Sequence, residues 1–147
     1  METLSDSFLL PISPDRAWRL FTADGERRWV AGWEPTFPAG DDDELPGTVF
    51  TTESSGLPTF WVVTSVEPGR RLGYAKVTPG DLAGSVTVEL SPTDDEDSTQ
   101  VTVTYRLTAL DDAARPGLAD FARTFPEFLA GWRRAILEQA PGGIPEP

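Results

Sequence analysis

Chemistry in this chain must come from lysine, tyrosine and carboxylates, because the usual carriers are missing. No His and no Cys occurs among its 147 residues. That removes thiolate nucleophiles, disulfides, Cys-ligated metals and any Ser-His-Asp arrangement. It also removes the commonest general base and metal ligand. The oxygen donors that remain suit only weak hard-cation sites, so no metal and no cofactor is expected. Lys76 is the sole lysine among twelve basic residues. It shares a strand face with Leu72 and Tyr74. Turned inward, its ammonium would lose pKa to burial and could hold an acidic ligand group or act as an amine base. Turned outward, it is a solvated strand end before Pro79-Gly80. Lysine is almost never fully buried, so the outward position is the expected one.

Tyr74 and Tyr105 are the only phenols. Either could orient a ligand carbonyl or hydrogen-bond within the core. Arg106 points opposite Tyr105, to solvent. Glu89 lies opposite the apolar face formed by Val86, Val88 and Leu90, hence outside. Glu53 has no assigned side. No paired-carboxylate spacing stands out. Asp41-Asp42-Asp43-Glu44 and Asp94-Asp95-Glu96-Asp97 lack the alternating ligands and Gly turn of a calcium loop and read as solvated tips. The remaining candidates are aromatic and apolar: Phe50, Trp61, Val86, Val88, Phe121, Phe125, Phe128 and Trp132. Core packing accounts for them most simply; lining a pocket for a flat apolar ligand is the alternative. Trp29 and Trp33 either cover one end of that pocket or pack short helices onto a sheet.

Two elements must position these groups. Ser13-Pro14-Asp15 caps a helix carrying Trp18, Leu20 and Phe21, after a short strand over Ser7–Ile12. Gly25 marks a break, with a second turn of helix over Glu26–Val30. At the far end, Leu118, Phe121, Ala122, Phe125, Leu129, Trp132 and Ile136 form one stripe on a long helix over Leu118–Leu137, with a kink expected at Pro126. Asp111 or Asp112 could cap it. Between the ends lie strands at 47–52, 59–66, 71–77, 85–90 and 99–107, joined by Pro68-Gly69, Pro79-Gly80 and the acidic tip. Short turns imply an antiparallel meander. A long helix laid across a curved sheet leaves a cavity between them.

The length suits one domain over 1–140, followed by a flexible tail over 141–147. The formal net charge of −12 repels phosphate backbones and anionic lipid surfaces, which argues against nucleic-acid binding. The start lacks the basic and apolar segments of a signal peptide, and no apolar run is long enough to span a membrane, so a cytoplasmic location is expected.

This order of elements resembles the SRPBCC superfamily, also called START-like or birch-pollen-allergen-like. Four segments carry the resemblance, in order: Ile12–Trp18, Val66–Leu72, Leu90-Ser91-Pro92 with Ser98–Val101, and Gly131–Leu137. It implies an α+β helix-grip fold, in which a curved antiparallel sheet wraps a long C-terminal helix and two short helices follow the first strand. It also implies that this helix and sheet wall line an apolar pocket. The leading expectation is binding of a small hydrophobic or aromatic molecule. The alternatives are a polyketide cyclase or dehydrase enzyme, and a protein-partner module similar to heat-shock-ATPase activator domains. A homodimer is compatible with any of these.

Overall fold

A computed structural model describes residues 1–54 and 56–144. Six strands, β1 (Glu2–Leu10), β2 (Val49–Ser54), β3 (Leu57–Glu67), β4 (Arg71–Thr78), β5 (Leu82–Pro92) and β6 (Thr99–Ala109), form one curved sheet ordered β1-β6-β5-β4-β3-β2. Every neighbouring pair is antiparallel. The meander therefore runs from β2 to β6, and β1 returns to pair with β6. After β1 come α1 (Pro14–Ala17), a 3-10 turn (Trp18–Phe21) and α2 (Ala23–Glu26); α3 (Arg115–Gln139) closes the order. This is the α+β helix-grip arrangement.

Alternation explains the strands. In β6, Val101, Val103, Tyr105 and Leu107 are buried, while Gln100 and Arg106 are exposed. In β5, Val86, Val88 and Leu90 face the same interior, and Glu89 pairs outside with Arg71. Strand β1 begins five residues earlier than its apolar stretch indicates. Its outer face is polar, and Ser5 and Ser7 hydrogen-bond the hydroxyls of Thr104 and Thr102 at 3.0 and 2.9 Å. Cross-strand Ser–Thr pairs stabilise a strand without adding an apolar signal.

Helix α3 buries Leu118, Phe125, Leu129 and Ile136 and half-buries Phe121, Ala122 and Trp132. It runs without interruption through Pro126. Asp111 accepts from the Ala113 N–H and so caps the 3-10 turn (Asp112–Ala114) that leads into it. At the other end, Arg133 Nε donates to the Leu9 carbonyl at 2.8 Å, tying α3 to β1. Gly25 is no break: it lies inside α2, which Thr22 caps by accepting from its N–H. A side chain there would strike the Arg19 carbonyl, which explains the glycine. Residues 141–144, expected as the start of a tail, bond to α1: the Ile144 N–H donates to the Arg16 carbonyl at 2.9 Å. Residues 145–147 of that expected tail lie outside the described residues.

Candidate functional site: an aromatic cavity with an unpaired acid and amine

The sheet and α3 do not close completely. A cavity of about 360 Å³ lies between α2, β2, β3, β4, β6 and α3. Trp61, Lys76, Tyr105, Phe128 and Trp132 line it, joined by Glu26, Val30, Trp33, Thr52 and Thr59. Its walls are two aromatic clusters. On the sheet side Trp61 stacks on Phe50, with ring centroids 5.5 Å apart, and Trp33 meets both edge-on. On the other side Tyr105 of β6 and Phe128 and Trp132 of α3 form a chain of contacts that continues to Trp29 and Phe21. The polar ends of the rings are fixed: Trp29 Nε1 donates to the Leu20 carbonyl, Trp33 Nε1 to the Ala23 carbonyl and Trp61 Nε1 to Thr52 Oγ1.

Lys76 is on the inside, against the expectation of a solvated strand end. It faces Trp61 across the β3–β4 pair. Its Nζ lies 4.6 Å from the Trp61 ring centroid and 5.9 Å from that of Tyr105. Two ring faces give the ammonium a partial substitute for water, which lets β4 turn a lysine inward. Burial still pushes its pKa down, while the charges of Asp81 and Glu26 pull it partly back. The Tyr105 phenol is pushed up by burial, with the Glu26 charge adding to the shift.

Glu26, at the end of α2, is the main residue that sequence reasoning missed. Burial holds its carboxyl well above the ordinary carboxylate range; the Asp43 charge adds to this and Lys76 offsets it. Among the described residues neither Glu26 nor Lys76 forms a salt bridge. The acid and the amine therefore face the same cavity without being joined. A four-residue helix has no periodicity to reveal its inner side. The one available signal is the spacing of Phe21, Gly25 and Trp29, which orients this segment against the core.

The other candidates are placed elsewhere. Phe50 lies behind Trp61, and Tyr74 donates to the Phe21 carbonyl at 2.6 Å, holding the 3-10 turn on the sheet. Val86 and Val88 are buried in the sheet's inner face. Phe125 is buried, and Phe121 packs on Tyr105 and Phe125. None of these six lines the cavity. Glu53 is exposed at its rim. Asp43, read as part of a solvated tip, is buried, and its carboxylate accepts from the Asp24 N–H at 2.7 Å, tying that loop to α2.

Glu26 makes stability depend on pH with a definite sign. Its folded pKa lies above the unfolded one, so the unfolded chain releases that proton first and stability falls as pH rises between the two values. Asp43 acts in the same direction. Glu26→Gln is expected to flatten this decline and to raise the melting temperature at neutral pH relative to the natural chain. Below the ordinary carboxylate range the two proteins should melt alike. Thermal melts across pH check this, and parallel curves would show that the Glu26 carboxyl is solvated.

A protein from Mesorhizobium loti, MLL2253, superposes with a TM-score of 0.68 at 19% identity, over 93% of this chain and 98% of that one. The Aha1 dimer from Colwellia psychrerythraea gives 0.66 at 16% identity, over 97% of this chain and all of that one. DynU16, a putative protein in the dynemicin biosynthetic locus, gives 0.67 at 18% identity, over 94% of this chain and 48% of that one. These likenesses show the fold. In sequence, 117 residues are 33% identical to pyruvate carboxylase from Aspergillus niger, and the match spans 8% of that protein. The family model described as polyketide cyclase / dehydrase and lipid transport matches residues 1–136. The chain therefore belongs to the polyketide cyclase / dehydrase and lipid transport family, within the SRPBCC superfamily.

Proposed function

We propose that this chain binds a small aromatic or apolar molecule in the cavity between sheet and α3. The observation that carries this reading is the facing pair of aromatic walls, Trp61 with Trp33 on one side and Phe128 with Trp132 on the other, around a gap of about 360 Å³. That volume is at the lower end of ligand sites, and such sites are mostly apolar with a few directed polar groups. Lys76 and Glu26 supply those groups here. Among the described residues no helix is long and apolar enough to cross a membrane.

Titration with an apolar fluorophore tests the proposal. Saturable binding is expected. Ala31→Trp, at the exposed mouth, should weaken it about tenfold or more, a loss of about 1.4 kcal/mol, without lowering the melting temperature. No saturable binding would make the aromatics plain core. The exposed row Val49, Phe60 and Val62 on the outer face of β2 and β3 would then favour a partner-binding role.

A second reading, an enzyme of the cyclase or dehydrase kind, is favoured by one observation. Glu26 and Lys76 are both shifted toward their neutral forms while lining one cavity. A poised acid and base in one cavity is what proton transfer at a bound carbonyl compound requires.

A further inference from the structure

We propose that Lys76 is a nucleophilic amine that condenses with the carbonyl carbon of a neutral aromatic or apolar aldehyde or ketone held in the cavity, with Glu26 carrying the proton. This rests on the cavity being a ligand site and names the ligand class and the bond formed. Three observations carry it. The amine lies between two aromatic rings, 4.6 Å from the Trp61 centroid and 5.9 Å from the Tyr105 centroid, where a flat carbonyl compound would stack. Among the described residues no carboxylate lies within salt-bridge distance of it. A carboxyl, Glu26, lines the same cavity.

The same groups argue against an acidic ligand. A ligand carboxylate would enter a cavity whose amine is pushed toward its uncharged form by burial, in a chain whose formal charge is already −12. A neutral carbonyl meets no such penalty. Burial also favours the unprotonated amine, the form that attacks. The step balances simply. The Nζ lone pair forms the C–N bond, and one N–H proton is lost as the carbonyl oxygen becomes a hydroxyl. The protonated Glu26 carboxyl then donates to that hydroxyl, which leaves as water while the second N–H proton returns to Glu26. An imine remains, and the reaction is reversible.

Lys76 being the only lysine makes the test direct. The protein is incubated near neutral pH with 2-naphthaldehyde, reduced with cyanoborohydride, and analysed by intact mass and peptide mapping. A single adduct at Lys76 is expected, formed faster than in urea-unfolded protein. Met1, whose α-amine is the other available primary amine, serves as the internal reference. Lys76→Met and Lys76→Arg should lose the adduct at the strand peptide, with circular dichroism showing that both variants fold. Glu26→Gln should slow adduct formation about a hundredfold, within the usual range for general acid–base assistance. Labelling at Met1 alone, or labelling at Lys76 no faster than in urea, overturns the proposal. An unchanged rate in Glu26→Gln overturns the role of Glu26. Saturable fluorophore binding without a Lys76 adduct sinks the amine chemistry alone, whereas absence of both sinks the cavity reading as well.

Discussion

Alanine at Gly84 is expected to cost more than about 4 kcal/mol, placing it among the exceptional single substitutions. Gly84 stands on the inner face of β5, in register with Lys76 on one side and Leu107 on the other. A Cβ there would lie 1.8 Å from the Arg106 carbonyl oxygen and 3.0 Å from the Leu107 Cα. Both atoms are backbone, so relief requires β6 to move, and β6 is hydrogen-bonded to β1 on its other edge. A loss of this size is a large part of a domain stability of about 5–15 kcal/mol. Gly131→Ala is the matched control. It lies within α3 with no atom within 4 Å of a new Cβ. That change should stabilise by about 0.5–1 kcal/mol, through helix entropy alone. Urea midpoints for the two variants separate the effects. Equal midpoints would mean that β5 and β6 are further apart at this position than the register implies.

Phe125→Ala should destabilise by about 3–5 kcal/mol, as large core truncations do. Phe125 is 3% exposed and touches Tyr105, Phe121 and Phe128. Trp132→Ala should cost about half as much or less, although tryptophan is the larger side chain. One side of Trp132 packs on Phe21 and Trp29, while another looks into the cavity and has no core to lose. The stripe alone cannot show this, since helical spacing gives direction and not the completeness of packing. Chemical denaturation measures both variants. A larger loss at Trp132 would place that ring in solid core and shrink the cavity to nothing.

The same distinction decides what could be read from the residues in advance. Strands β5 and β6 alternate cleanly because one face is core and the other is water, and α3 shows its stripe for the same reason. The helix-grip order follows from those elements and their short turns. The site is less legible because cavities depend on which inward residues fail to meet. Val86 and Trp61 are both inward on the sheet, yet Val86 is buried by its neighbours and Trp61 borders open space. No local pattern distinguishes them. Lys76 was assigned outward on the general cost of burying an ammonium, and the faces of Trp61 and Tyr105 lower that cost through contacts from two other strands. Glu26 is more extreme, since its environment is assembled from α2, β4 and α3 and its own segment is one turn long.

The pairing of β1 with β6 has a consequence for how the chain is made. Ser5 and its hydroxyl partner Thr104 are 99 residues apart. At translation rates of about 5–20 residues per second, β1 emerges about 5–20 s before β6, its neighbour in the sheet, exists. The strands from β2 to β6 each pair with the one just completed, so the meander can assemble in step with synthesis, while the non-local pairing must come late. During that interval β1 is a solitary strand with unpaired backbone, the situation most prone to aggregation. Thr3, Ser5 and Ser7, on one face of the strand, keep it polar through the wait. The stripe that hides β1 from a hydrophobicity reading is thus a safeguard for the nascent chain before it becomes one face of a finished sheet.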